Sequence, residues 1–328
     1  MPMLFPPDTL LPDTADELIN CAISSGDLHS AAAVYELAEG EQKQQLSGIL
    51  CEERRNTLLL ARWEHTPAAV LQMLAEIDDE TVRLRLDKNP ASRAGTLNTI
   101  YKKGGHDRQL ISLLTQHAHS SSTLLNSLAM SEDDIPILKS IAAHPNTDAN
   151  TLIFLEQRYP DMFDNELAVH AETPPELLEK IYQRGNCFIR SAVVTHIRCP
   201  QFLLDLAFNE TDTTILRHLA ANPRLAPEKL ANLAQHDDVS VLRTLAGNPS
   251  LSKELANQMS HNSSNSVRRA LASRTDLTDE NLQQLANDED HWVRQRVARH
   301  PQLDEMLLNK LAQDQNDEVR RAVTRNPL

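Results

Sequence analysis

Apolar residues recur along most of this chain in the pattern of short amphipathic helices that repeat at a fixed interval. Four C-terminal segments share it: LAANPRLAPEKLANLA (219–234), LAGNPSLSKELANQMS (245–260), LASRTDLTDENLQQLA (271–286) and VARHPQLDEMLLNKLA (297–312). We take the residue in the proline position as the anchor of each repeat. The anchors, 26 to 28 residues apart, are Glu64, Pro90, Ala118, Pro145, Ala171, Ile197, Pro223, Pro249, Thr275, Pro301 and Pro327. This period is typical of solenoid proteins and predicts about ten repeats.

Three apolar columns support this register. Eight positions before the anchor, where only Asn56 is polar, lie Val82, Leu110, Ile137, Phe163, Ile189, Ile215, Val241, Val267, Val293 and Val319. Four positions before it lie Leu60, Leu86, Leu114, Ile141, Leu167, Val193, Leu219, Leu245, Leu271, Val297 and Val323. Ten positions after it lie Leu74, Leu128, Leu155, Ile181, Leu233, Met259, Leu285 and Leu311. A spacing of four residues places the first two columns on one helical face.

Each repeat is predicted to contain two short helices joined by an acidic turn. The first helix often opens with a capping signal, such as Thr173 followed by Glu176. Asp304 and Glu305 place negative charge at a helix N-terminus, where the helix dipole favours it. The second helix ends just before the anchor, where proline stops it. One such pair cannot bury its own apolar face, so neighbouring repeats must stack. The expected fold class is therefore all-α, an α-solenoid.

The first 50 residues differ from the repeats. They contain eight acidic residues, and Lys43 is their only lysine or arginine. Helical periodicity is visible from Thr14 to Leu50. We therefore predict an acidic helical N-terminal cap over residues 1–50 and a repeat solenoid over residues 51–328.

The repeat unit NPxLxxExLxxLAxDxxxxVRxxLAxNP, clearest over residues 222–301, resembles the leucine-rich repeat variant family and, more loosely, HEAT repeats. The resemblance implies a right-handed superhelix in which one helix of each pair is short. A known member of that family carries an N-terminal iron–sulfur cluster, which needs about four cysteine ligands. Here the N-terminal region offers only Cys21 and Cys51, so no cofactor is predicted.

Composition narrows the possible functions. Only 8 glycines and 4% aromatic residues disfavour all-β folds and glycine-rich phosphate loops. The net charge of −14 counts against non-specific attraction to nucleic acid or anionic lipid. No stretch approaches the ~18 apolar residues of a membrane span, and the four cysteines form no CxxC pair. We expect a cytoplasmic protein that does not enter a membrane.

Arginines form the most notable polar columns. Seven positions before the anchor lie Arg83, Arg190, Arg268, Arg294 and Arg320; six before it lie Arg217, Arg243, Arg269 and Arg321; five before it lie Arg85 and Arg296. They could hold carboxylates or phosphates of a partner. Alternatively, each pairs with the acidic turn of its own or a neighbouring repeat. The near balance of 11 acidic and 10 basic residues from Ser266 onward favours pairing.

The position just before the anchor is mostly asparagine or histidine. Its members include Asn89, His117, His144, His170, His196, Asn222, Asn248, His300 and Asn326. Stacked helices lie ~8–10 Å apart and zinc–nitrogen bonds are ~2 Å long, so one histidine per repeat cannot chelate jointly and no metal site is predicted. Asparagine and histidine are both enriched at positive φ. We therefore predict that this column serves the backbone geometry of the helix ends.

Seven aromatic residues fall between Phe154 and Phe208. Eleven positions after the anchor, Tyr182 and Phe208 occupy a column that holds alanine in several other repeats. They are either a binding hot spot or larger groups that fill the core of divergent repeats. The second interpretation is favoured because Phe163 and Phe188 fall near core columns.

No catalytic motif is recognisable, and we predict that the chain is not an enzyme. The favoured function is a non-catalytic scaffold that binds another protein. Candidate partner-binding residues are Arg190, Arg217, Arg243, Arg268, Arg269, Arg294, Arg320, Arg321, Tyr182 and Phe208. The alternative is nucleic-acid binding or repair of the HEAT-like DNA glycosylase type, with inward-facing arginines; the acidic total makes nucleic acid the less favoured partner.

Overall fold

The computed structural model describes residues 15–104 and 107–326, which form two compact units divided between Glu166 and Leu167. Helices pack consecutively in each unit, and no β-strand occurs in these two ranges. The predicted all-α helical-repeat fold is confirmed. The right-handed sense of the superhelix and the boundary at residue 50 stay predictions.

The first unit opens with three helices that pack on one another, followed by helices that contact the next helix but one. Its helices are α1 (Ala15–Ser25), α2 (Leu28–Val34), α3 (Gly40–Cys51), α4 (Arg54–Arg62), α5 (Ala68–Ala75), α6 (Glu80–Asp87), α7 (Ala94–Gly104), α8 (Arg108–Leu114), α9 (Ser122–Ser131), α10 (Ile135–Ala143) and α11 (Ala149–Arg158). The short α12 (Asp164–Leu167) ends on the first residue of the second unit.

The second unit alternates two kinds of helix. The first helix of each repeat, called here the A helix, is α13 (Pro175–Arg184), α15 (Gln201–Ala207), α17 (Pro227–Leu233), α19 (Lys253–Met259), α21 (Asp279–Ala286) or α23 (Glu305–Leu311). The second, the B helix, is α14 (Cys187–Thr195), α16 (Thr213–Ala221), α18 (Val239–Ala246), α20 (Asn265–Leu271), α22 (His291–Ala298) or α24 (Asp317–Val323). Each B helix packs against the B helix of the next repeat.

The apolar columns form the core of each unit, as the sequence predicts. In α18 the residues eight and four positions before the anchor, Val241 and Leu245, are both fully buried. Across both units the columns are buried except at Ile189 and Val323, which are half-buried. Burying a residue of this size contributes about 1.5–3 kcal/mol, so stacking supplies the stability that such short helices lack on their own.

The residue just before the anchor joins its repeat to the preceding one. Asn248 donates from Nδ2 to the carbonyl oxygens of Ala220 (2.7 Å) and Asn222 (3.0 Å) at the end of the previous B helix. Its Oδ1 accepts the backbone N–H of Ser250 at 2.8 Å. One buried amide therefore satisfies two otherwise open helix-end carbonyls and one N–H of its own turn.

Histidine makes the same connection with a ring. The Nε2 atom of His300 lies 2.7 Å from the carbonyl oxygen of Arg274, and its Nδ1 accepts the N–H of Gln302 at 3.2 Å. The ring must therefore be neutral, with its proton on Nε2. Burial lowers the pKa of His300, which favours this neutral form. Equivalent bonds to the preceding repeat are made by Asn89, His117, His144, His196, Asn222 and Asn326.

The predicted positive φ in this column is wrong. His144 has φ −75° and ψ 127°, and Asn222 has φ −74° and ψ 119°, which is extended backbone. Among the described residues other than glycine, only Asp161 has a positive φ. Asparagine and histidine occur in this column because their side chains form hydrogen bonds between repeats, and not because the backbone has a special conformation there.

One predicted helix cap is also wrong. Thr173 is fully buried, and its hydroxyl donates to the carbonyl oxygen of Leu167 at 2.7 Å, so it closes the preceding helix instead of opening α13. Asp304 does cap α23, because its carboxylate accepts the N–H of Leu307 at 2.7 Å. A buried threonine or serine thus has the role of a C-terminal cap in these repeats.

Candidate functional site

In the second unit, the arginines seven positions before the anchor pair with other groups of the fold. The guanidinium of Arg268 contacts Asp288 at 2.6 Å and Glu289 at 3.3 Å, and it also donates to the carbonyl oxygens of Asn262 and Ser263. The side chains of Arg268 and Asp288 are only 9% and 5% exposed. Arg268 therefore links the uncharged turn that precedes its own helix to the acidic turn of the next repeat.

The same construction recurs one repeat later. Arg294 contacts Asp314 at 2.7 Å and donates to the carbonyl oxygens of Asp288 and Glu289. The hydrogen bond from Arg294 lowers the pKa of Asp314. Both partners are mostly buried, so the charge of Arg294 is neutralised inside the fold.

Two further predicted site residues have partners of this kind. Arg190 contacts Glu210 at 2.9 Å and lies over the ring of Tyr182, 5.5 Å from its centroid. Arg320 pairs with Asp317 and donates to the carbonyl oxygen of Asp314 at 2.5 Å. The arginines of this column are thus occupied by groups of the chain itself.

The arginines one position later in the sequence have a different environment. Arg243 and Arg269 are exposed and Arg217 is half-buried, and none of the three has an ion pair or hydrogen bond within the described ranges. Because one residue turns a helix by about 100°, this column leaves the turns and faces outward. Arg321, in the last repeat, forms an exposed i,i+3 pair with Glu318 at 2.8 Å.

These outward arginines lie on a face that has no acidic residue of its own. None of the helices α14, α16, α18, α20 and α22 contains Asp or Glu. In α22 the position six before the anchor holds Gln295 instead of an arginine. The exposed Arg296 and Arg299 extend the basic face there. We call Arg217, Arg243, Arg269, Arg296 and Arg299 the arginine row.

A cavity of about 270 Å³ lies at one part of the arginine row. It is lined by Arg269, Trp292, Gln295, Arg296 and Arg299. Trp292 is 46% exposed, so an apolar ring faces solvent beside three guanidinium groups that have no ion pair in the described part of the chain. The cavity is suited to a ligand that combines a carboxylate or phosphate with an apolar ring.

The aromatic residues divide in a similar way. Tyr182 is 2% exposed and donates from its hydroxyl to Glu210 at 3.1 Å, and Phe163 is fully buried. Phe208 is half-buried beneath Lys229, whose Nζ lies 5.4 Å from the ring centroid. Phe188 is 73% exposed, so its predicted place near the core is wrong. It stands at the same repeat position as Trp292, where the B helix faces outward.

The first unit holds a larger open groove of about 750 Å³. It is lined by Arg54, Arg55, Leu58, Leu59, Arg62, Trp63, Glu64 and Arg85. Arg54 is paired with Asp79 at 2.6 Å, and Arg85 donates to the carbonyl oxygen of Leu58 at 2.7 Å. Arg55 and Arg62 are exposed and have no such partner within the described ranges. The groove combines apolar walls with positive charge.

One buried acid departs from the repeat pattern. Asp87 is 2% exposed, and neither carboxylate oxygen has a hydrogen-bond partner among the residues that the structure describes. Burial raises its pKa to about 7. Its column, three positions before the anchor, holds alanine in most repeats, for example Ala220 and Ala246. Asp87 therefore destabilises the first unit. The signal for it in the sequence is an acidic residue in a column that otherwise favours alanine.

No group of three or more His, Cys, Asp or Glu side chains suited to a metal ion occurs in residues 15–104 and 107–326. The histidine column faces backbone carbonyls and amides of the repeats. In the same ranges, no helix is both long and apolar enough to cross a bilayer.

Comparison with known proteins gave structural similarity only. No family model and no curated protein matches the chain. Among solved structures, the chain is similar to a leucine-rich repeat variant with a novel repetitive structural motif, at 17% identity and a TM-score of 0.45, covering 76% of this chain and 87% of that one. It is also similar to an engineered protein at 14% identity and a TM-score of 0.24, covering 95% and 97%. The first is of the repeat type that the sequence motif resembles.

Proposed function

We propose that this helical-repeat scaffold is non-catalytic and binds another protein through the arginine row of its second unit. The observation that carries the proposal is the contrast between two adjacent columns. Arg268 and Arg294 are neutralised by buried carboxylates, whereas Arg243 and Arg269 are exposed and have no side-chain partner among residues 15–104 and 107–326. A surface arginine that no acid within the described ranges neutralises is available to carboxylates of another molecule.

The surroundings of the row favour a protein partner over nucleic acid. The turns that precede α18 and α22 carry exposed acids, among them Asp237 and Glu289, whose side chain is 87% exposed. A duplex is wider than one helix and would lie over these acids as well as the arginines. The net charge of −14 adds long-range repulsion of phosphate backbones. The expected location of the scaffold is the cytoplasm.

Charge reversal tests the proposal. The chain is immobilised and a lysate is passed over it. The triple variant Arg217→Glu, Arg243→Glu and Arg269→Glu is expected to retain at least about tenfold less partner protein than the unmodified chain does. The matched control is Lys180→Glu, Lys253→Glu and Lys310→Glu, which makes the same charge change on exposed positions of A helices. The control should retain what the unmodified chain retains.

Two outcomes would overturn the proposal. The first is equal retention by the row variant and the unmodified chain, measured by quantitative mass spectrometry of the bound fraction. The second is loss of the bound material after nuclease treatment, which would identify nucleic acid as the partner. Circular dichroism of both triple variants verifies that each remains helical.

A further inference from the structure

Three members of the arginine row, Arg217, Arg243 and Arg269, have a regular spacing that restricts the shape of what they bind. Arg217, Arg243 and Arg269 occupy the same position of α16, α18 and α20, which pack side by side. Neighbouring packed helices lie ~8–10 Å apart, so these three helices present one arginine position about every 9 Å. Between the arginines the exposed face carries small residues, such as Thr244 and Ala270, which let a chain approach the helices closely.

We propose that the row binds an extended acidic segment in polyproline II conformation, with Asp or Glu at every third position. This inference rests on the proposed function and names the chemistry of the partner. Polyproline II has three residues per turn and a rise of ~3.1 Å per residue. Every third side chain therefore points the same way and recurs about every 9.3 Å, which matches the repeat spacing of the arginines.

Other conformations match less well. In a β-strand, side chains three residues apart point to opposite faces, so only every second acid of such a series would meet an arginine. An α-helix could present an acid at every seventh residue, but with its side chains it is ~10–12 Å wide. The basic strip is bordered by acidic turns at the start of α18 and α22, which carry the exposed Asp237 and Glu289. A helix would lie partly over these acids.

Trp292 supports the same conformation. It is 46% exposed and lines the cavity with Arg269, Arg296 and Arg299. Domains that recognise polyproline II use exposed aromatic rings against which proline rings pack. The cavity therefore fits a proline that lies between two acidic residues of the bound segment.

The test is a titration of the full chain with labelled peptides of identical composition. One peptide repeats Glu-Pro-Pro six times; the other repeats Glu-Glu-Pro-Pro-Pro-Pro three times. Fluorescence anisotropy is expected to show at least about fivefold tighter binding of the first peptide, and weaker binding at higher salt. Arg243→Glu and Trp292→Ala should each weaken it about threefold or more, whereas Lys253→Glu should not. Labelled oligo(dT) is titrated as a third ligand, to test whether the row binds a phosphate backbone instead of an acidic peptide.

Each result has a defined meaning. Equal binding of the two peptides, or tighter binding of the clustered one, overturns the inference about spacing. If neither peptide binds but protein capture still depends on the row, the inference fails while the proposed function stands. If oligo(dT) binds through the row more tightly than either peptide, both fail.

Discussion

Replacing Asp87 with alanine is expected to raise the free energy of unfolding of the first unit by about 3 kcal/mol at pH 8. The carboxylate is 2% exposed and has no hydrogen-bond partner, and its pKa is raised to about 7 by burial. Moving a pKa from 3.8 to about 7 costs about 4 kcal/mol in the ionised state. A small cavity offsets part of the gain. Alanine fits because other repeats have it at this position.

The gain from Asp87→Ala should depend on pH with a defined sign. Between pH 4 and pH 7 the folded unit retains the Asp87 proton, whereas the unfolded chain has lost it. The destabilisation by Asp87 therefore grows as pH rises through this window and is absent below pH 4. The difference in stability between variant and parent should shrink by most of its value from pH 8 to pH 4.

Denaturant unfolding monitored by Trp63 measures this effect. Because the chain has only two tryptophans, a Trp292→Phe background assigns the fluorescence to the first unit. Glu80→Ala, an exposed change in the same helix, is the control and should alter stability by less than about 0.5 kcal/mol. Unchanged stability of Asp87→Ala at pH 8 would contradict the assignment of Asp87 as a buried, unsatisfied acid.

Replacing Asn248 with alanine is expected to lower the free energy of unfolding of the second unit by about 3 kcal/mol. Asn248 is 1% exposed and makes three hydrogen bonds, to Ala220, Asn222 and Ser250. Alanine would leave these backbone groups buried without partners, and each such group costs about 1–3 kcal/mol where water cannot replace the bond.

Histidine provides the matched control for Asn248. His300 makes the equivalent bond to the preceding repeat, so Asn248→His should cost less than about 1.5 kcal/mol. Denaturant unfolding monitored by Trp292 in a Trp63→Phe background separates the two variants. If alanine and histidine have the same effect, the column does not act through hydrogen bonds between repeats.

Much of the fold could be predicted from the sequence because it depends on periodicity. The columns that contain Val241 and Leu245 identify a buried helical face, and their recurrence identifies the repeat. The function of the column before the anchor could not be predicted in this way. The bonding partner of Asn248 lies 26 to 28 residues earlier, on another helix, and only the stacked structure brings them together.

The candidate site was only partly predictable, for a related reason. The sequence placed Arg268 and Arg269 in neighbouring columns and offered the same two interpretations for both, partner binding or pairing with acidic turns. The structure separates them, because a rotation of about 100° per residue turns Arg268 towards Asp288 and Arg269 outward. Trp292 and Phe188 were missed as outward residues, since an apolar side chain near a core column gives no sequence signal of exposure.

The division of the arginines into an internal column and an outward row is tested most directly by comparing Arg268→Gln with Arg269→Gln. Unfolding of the second unit, monitored by Trp292 fluorescence in the Trp63→Phe background, should show a loss of about 2–3 kcal/mol for Arg268→Gln, because Asp288 is left buried without its partner. Arg269→Gln should change stability by less than about 0.5 kcal/mol. Equal losses for the two variants, or a larger loss for Arg269→Gln, would contradict the account.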